Sequence, residues 1–333
     1  MQQQDAPAHR LCKVALPALF LLALMVIFLG AYTRIKDAGL GCPDWPGCYG
    51  HWSVPNDAQL TLQEYPDTPL APEKAWLEMI HRYAAGTLGL GLLALYLTIG
   101  RRAPSKKIQR MSLALCLLVV FQAALGMWTV TLKLWPIVVM GHLLGGLAIV
   151  SLCWYGTVME HQQYLKPMPS TLHKTVLWVL ALLVLQITLG GWTSANYAAL
   201  SCPDFPYCNN ASGMAWQLHA FAFWEGWGLP NPLTGMNHLD RMSIHMAHRL
   251  GALALSGGVL FLAIQLWRTN KVARGYALFL TSLLLLQGIL GWANVAYWLP
   301  WPLALLHHMV AVLLLLTLIT LAIHTNVQRA HCR

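Results

Sequence analysis

Eight long apolar stretches, separated by short polar intervals or by two longer polar loops, dominate the pattern of this 333-residue chain. They cover about 14–33, 79–99, 108–130, 136–158, 175–194, 243–266, 275–297 and 302–323, each near the roughly 20 residues that carry a helix across a bilayer. The expected fold is therefore all-α and membrane-integral, with eight transmembrane helices. The first stretch follows Arg10 and Lys13, as a signal peptide would. Val14 to Thr33 is nonetheless long enough to span, and no clear small-residue cleavage site follows, so it reads as a retained helix.

Composition agrees with the pattern. The chain is 57% hydrophobic and 10% charged, too little polar material to cover a soluble domain. The net charge of +9 does not point to nucleic acid, because the basic residues cluster between apolar runs, where membrane topology explains them. With an inside N-terminus, Arg101, Arg102, Lys106, Lys107, Arg268, Lys271 and Arg274 fall on the cytoplasmic side. The long intervals 35–77 and 195–241 carry acids and few bases, as translocated loops do. Both termini are expected in the cytoplasm, with lipid around the helices and both long loops extracytoplasmic.

The chain also repeats itself. Cys42-Pro43-Asp44-Trp45-Pro46-Gly47-Cys48 returns as Cys202-Pro203-Asp204-Phe205-Pro206-Tyr207-Cys208, each just after an apolar run. His81-Arg82 opens the next run in one half and His248-Arg249 in the other. Gln122 and Gly126 are answered by Gln287 and Gly291, and His142 and His307 each stand sixteen residues past that glycine. Two four-helix halves follow, residues 1–160 and 161–333. An even helix number makes both halves enter the membrane in one sense, as tandem bundles related by a pseudo-two-fold axis along its normal. Gly, Trp and Gln also serve as packing residues in membrane helices. Four histidines in register at costly depth point to a site.

In an oxidising compartment, Cys42/Cys48 and Cys202/Cys208 can each close a small loop, stiffened by the prolines. Zinc is the alternative for cysteine pairs, but this spacing is unusual for it and neither loop offers a clear second ligand pair. Cys12, Cys116, Cys153 and Cys332 are expected as free thiols.

All four repeated histidines sit near the outer ends of their helices. Two histidines from different helices of one bundle can hold a porphyrin iron between them, giving one site from His81 and His142 and another from His248 and His307. Gly86, Gly89, Gly145 and Gly146 would leave room for the macrocycle. Arg82 and Arg249 suit porphyrin carboxylates, or else snorkel to the membrane surface. His308 competes with His307, and the sixteen-residue register favours His307. The halves differ at Glu78, three residues before His81, where the second half has His245. A carboxylate in one half alone suggests chemistry in the first and a resident electron-carrying haem in the second. The plainer reading is an acid at a helix start.

These motifs together resemble the haem A synthase family, over nearly the whole chain. The resemblance rests on the loop pairs around Cys42–Cys48 and Cys202–Cys208, on Glu78-x-x-His81-Arg82, on Gln122 to Trp128 followed by Gly141-His142-Leu143, on His248-Arg249-Leu250 and on Pro302 to His307. It implies an oxidoreductase of cytochrome oxidase assembly, converting the C8 methyl of haem O to the formyl group of haem A. It further implies haem O at His81 and His142, haem b at His248 and His307, and an acidic role for Glu78. The implied setting is the bacterial inner membrane, downstream of haem O synthase, with the oligomeric state open and a homo-oligomer among the options. Two rivals account for the histidines: a quinol-linked di-haem b electron-transfer cytochrome, and a haem transporter.

Overall fold

The computed structural model describes residues 7–103, 105–161, 168–205, 208, 216–222 and 236–331. Among these residues there is no strand, and the helices are α1 (Pro7–Ile35), α2 (Ala58–Glu64), α3 (Pro72–Thr98), α4 (Lys106–Thr131), α5 (Pro136–Glu160), α6 (His173–Ala195), α7 (His238–Trp267), α8 (Lys271–Ala296) and α9 (Trp301–His331). Each of the eight apolar runs falls on one long helix. The extra element, α2, is a short helix in the first long loop, where no apolar run marks it.

Seven of the long helices are long and apolar enough to cross a membrane. The exception is α3, whose first turns carry Glu73, Lys74, Glu78, His81 and Arg82. Its polar start, which dilutes its apolar character, also supplies most of the first unit's chemistry. Large apolar side chains point outward along the helices, with Leu90 71% and Leu253 70% exposed. In water such surfaces aggregate, whereas lipid accepts them and leaves only backbone hydrogen bonds to satisfy internally.

The chain divides into two compact units, Met1–Leu134 with Gly141–Glu160, and Trp135–Met140 with His161–Arg333. In the first, α1 packs on α3 and α3 on α4. The body of α5 lies against α1 and α4, with Gly156 facing Leu16 and Met111, and Phe20 tilted on Trp154. In the second, α6 packs on α7, α7 on α8, α8 on α9, and α9 back on α6.

Four of the long helices, α1, α4, α6 and α8, stop in the same way. After α1 and α6, Asp37 and Tyr197 take positive φ, and Ala38 and Ala198 donate to the carbonyls of Thr33 and Thr193. After α4 and α8, Lys133 and Trp298 take positive φ, and Leu134 and Leu299 donate to Thr129 and Asn294. These are six-to-one helix stops of the kind that usually employ glycine. Here non-glycine residues occupy the left-handed position, each at a cost of roughly 1–2 kcal/mol.

The first long loop and the start of α3 share a small core, in which Cys42, Cys48, Tyr49, Val54, Ala75 and Met79 are buried together. Asp44 accepts hydrogen bonds from the backbone of Tyr49 at 2.6 Å and Gly50 at 2.8 Å, which closes the turn after the C-P-D triplet. Gly41 lies so close to the start of α3 that a Cβ there would meet the Lys74 carbonyl carbon at 2.5 Å. In the second loop, Cys202, Cys208 and Met242 pack together. Both expected disulfides are formed, Cys42–Cys48 and Cys202–Cys208. Cys116 and Cys153 are free thiols. Cys332 lies outside the described residues, as does the side chain of Cys12.

Thiol labelling of oxidised membranes should therefore miss Cys42, Cys48, Cys202 and Cys208 until a reductant is added. Mass-mapped labelling of either pair before reduction would refute that pairing.

Candidate functional site

Each unit brings one pair of the repeated histidines together. In the first unit, the rings of His81 (α3) and His142 (α5) meet edge to face with centroids 6.4 Å apart. Two metal–nitrogen bonds of about 2 Å each, together with the reach from each nitrogen to its ring centre, span a similar distance. In the second unit, His248 (α7) and His307 (α9) stand on two helices that each pack on both α6 and α8. The Nδ1 atoms of His81, His142 and His307 are buried without hydrogen bonds. Paired imidazoles of this kind fit the axial ligation of a haem iron.

Every one of these rings rests on a glycine of a neighbouring helix. A Cβ at Gly30 would lie 2.9 Å from Cε1 of His81, and one at Gly190 would lie 2.9 Å from Cε1 of His248. The matching distances are 3.4 Å from Gly126 to His142 and 3.3 Å from Gly291 to His307. Glycine is therefore needed for space, since a methyl group would push the first two imidazoles aside. Gly291 and Gln287 both face His307, the latter at 3.2 Å from Nε2. Its neighbour His308 keeps a buried Nε2 without a hydrogen bond.

The other small residues behave differently from one another. Gly86 is exposed on α3, and a Cβ there would meet nothing within 4 Å. Gly145 and Gly146 leave no void, because Gln122 fills the first position and Ile27 the second. Beside Gly89 stands Val119, at ordinary contact distance.

Glu78 is 4% exposed and its carboxylate is fully engaged. It accepts from the backbone of Cys42 at 2.9 Å and pairs with Arg82 at 2.5 Å. At the matching place in the second unit, His245 Nδ1 lies 3.1 Å from the carbonyl of Ala198. Both side chains thus tie the start of a histidine-bearing helix to the loop before it, one with charge and one without a carboxylate.

The arginines after each histidine hold the loops as well. Arg82 donates to the carbonyls of Asp44 at 3.0 Å, Pro46 at 3.2 Å and Gly47. Arg249 donates to Cys202 at 2.6 Å and Asp204 at 2.7 Å. The repeated H-R pair therefore joins one residue that faces the pocket to one that clamps the loop. Nothing in the sequence pattern separates this clamp from a carboxylate contact, because arginine suits both.

One polar neighbour of the site escaped the sequence reading. Gln186 of α6 places its amide nitrogen 3.0 Å from His248 Nδ1 and 3.0 Å from the His248 carbonyl. Its signal in the sequence is the interval of four to Gly190, which in the first half separates Val26 from Gly30.

Residues 13–319 match the model of the family described as cytochrome oxidase assembly protein, COX15-CtaA. The chain belongs to this family. Among its relatives is the heme A synthase of Shewanella oneidensis, 44% identical over 306 residues that cover 90% of this chain and 92% of the relative. The heme A synthase of Novosphingobium aromaticivorans is 28% identical, with 94% and 96% covered. That of Neorickettsia sennetsu is 25% identical, with 89% and 93% covered. In each case the likeness runs through both units.

The two clamps should not be equal. Arg82→Ala would strand the buried Glu78 charge and cost about 3–5 kcal/mol, whereas Arg249→Ala should cost about 1–3 kcal/mol. Thermal unfolding in detergent measures both, and equal losses would contradict a special role for the Glu78–Arg82 pair.

Proposed function

We propose that the chain is a haem A synthase, which oxidises the C8 methyl group of haem O to a formyl group and supplies haem A to terminal oxidases. The observation that carries this reading is the paired histidines, one pair per unit, in a chain of this family. His81 and His142 are the ligands of the substrate haem O. His248 and His307 are the ligands of a haem b cofactor, and His308 is not. When bound, that cofactor supplies an exit for the electrons that a methyl group gives up on its way to an aldehyde.

The residues divide the work. Glu78 stands one helical turn before His81 and puts a carboxylate beside the substrate pair alone. A carboxylate there accepts a proton or offsets positive charge that develops on the substrate. Its bond to the Cys42 N–H and its pairing with Arg82 fix where that charge sits. Arg82 and Arg249, next to each first histidine, are also the cations available to haem propionates, alongside their hold on the loops.

The same reading sets the topology. α3 is the eighth transmembrane helix, its polar start lying at the outer surface. The units are tandem four-helix bundles related by a pseudo-two-fold axis along the membrane normal, with residues 1–160 for substrate and 161–333 for cofactor. Both termini lie in the cytoplasm of a bacterial inner membrane, as the positive charges favour, and the two disulfides suit an oxidising exterior. Haem O synthase is the upstream partner by the logic of the substrate.

Extraction and mass analysis of the haems in the purified protein tests the reading. Haem b with haem O and haem A supports it, and two fixed haems b without product would favour an electron-transfer cytochrome. Glu78→Gln should keep the haem b spectrum while haem A disappears and haem O or a partly oxidised haem accumulates, and a normal haem A yield would remove Glu78 from the chemistry. Substituting His248 or His307 with Ala should reduce the low-spin haem b signal, with His308→Ala mattering less. A loss from His308→Ala alone would move the ligand by one residue.

A further inference from the structure

At the first turn of each helix that bears the leading histidine, the units differ in charge. In the first unit Asp37 lies 3.8 Å from Arg34 and 3.9 Å from Lys74, two loose ion pairs around a side chain that is 61% exposed. The repeat gives each of these residues a counterpart. Asp37 and Tyr197 both take positive φ, in the stops of α1 and α6. Lys74 and Arg241 each stand seven residues before the first histidine of a pair. Contacts fix the same register, since Cys42 Sγ lies 3.9 Å from the Ala75 carbonyl oxygen and Cys202 Sγ 3.7 Å from that of Met242. Ser194 takes the place of Arg34. Of the three charges the second unit keeps one, Arg241, with a tyrosine where its carboxylate would be.

Arg241 faces the same way as His248. Seven residues of helix leave the two within about 20° of each other and about 10 Å apart along α7. A porphyrin's carboxylates stand off its iron by a similar distance. The Nε atom of Arg241 is buried with no hydrogen-bond partner among the described residues, a cost that an anion would relieve. Its neighbour Asp240 is engaged by His219 at 2.7 Å and by the backbone of Asn237 at 2.8 Å. Arg249 is engaged by the loop carbonyls of Cys202 and Asp204.

We propose that Arg241 binds a carboxylate of the haem held by His248 and His307, and that the second unit retains its haem through this cation as well as through the histidines. The proposal rests on the reading of the second unit as the haem b unit. Arginine holds carboxylates by charge-assisted hydrogen bonds, often two at once. With Tyr197 in the turn after α6, no aspartate at that position competes with the haem for the guanidinium. In the first unit Asp37 does compete for Lys74, as suits a site that must hand on its product.

The test uses the full-length protein purified with its haems. Haem b transfer to excess apomyoglobin gives the release rate, and an optical redox titration gives the midpoint potential. Arg241→Gln should release haem b about 10- to 100-fold faster than the unaltered protein. Its midpoint potential should fall, because ferric haem carries one more positive charge and gains when a nearby cation is removed. An unchanged release rate, or faster release at an unchanged potential, overturns the proposal. Should Arg241→Gln fail to assemble, Tyr197→Asp decides, since aspartate suits a positive φ better than tyrosine does. By giving Arg241 the carboxylate that Lys74 has, it should speed haem b release, and release as slow as in the unaltered protein overturns the proposal. If the unaltered protein holds no haem b, the haem b reading of the second unit falls first and takes this proposal with it.

Discussion

The arrangement depends on imidazoles set against helix backbones with no side chain between them. His81 and His248 press on Gly30 and Gly190 so closely that a single methyl group would displace each ring. Such contact fixes how near α1 comes to α3, and α6 to α7, at the level of the site. His142 on Gly126 and His307 on Gly291 repeat the constraint with slightly more slack. Around these contacts the helices can be filled with almost any apolar side chain, because lipid accepts whatever faces outward. Inside the units, the glycines and histidines set the packing, and the leucines fill what remains.

On that common frame the two units carry different polar groups. The first has a buried carboxylate paired with arginine and tied to a disulfide loop through the Cys42 N–H. Taking such a pair out of water is costly, so it persists only with its geometry and remaining hydrogen bonds satisfied. The second unit has His245 on a carbonyl at the same place, and a glutamine amide on the neighbouring histidine.

The two disulfide loops matter because they reach the site through the backbone. Arg82 and Arg249 draw the carbonyls of the C-P-D turns onto the helices that bear His81 and His248. The loops have little regular structure to satisfy their carbonyls, so a five-donor side chain serves where a strand or helix would otherwise do so. Each disulfide then closes the loop within reach of its clamp.

By itself the sequence determined the helices, the repeat and the candidate histidines, since each depends on local composition or on spacing along the chain. Apolar length predicts helices, and recurring spacing predicts that His81 pairs with His142 as His248 does with His307. The cysteine pairing was legible too, because each partner lies within one short loop. Tertiary structure alone decided the rest. No glycine marks the helix stops at Asp37, Lys133, Tyr197 and Trp298, so tertiary packing overrode a local preference. Gly145 and Gly146 looked like room for a ligand but are filled by Gln122 and Ile27, side chains from other helices. Arg82 and Arg249 turned to loop carbonyls, and Gln186 reached His248 across 62 residues of sequence. Periodicity reports which way a residue faces on its own helix. What it meets there depends on how separate helices are packed, and that distance is not written in any one of them.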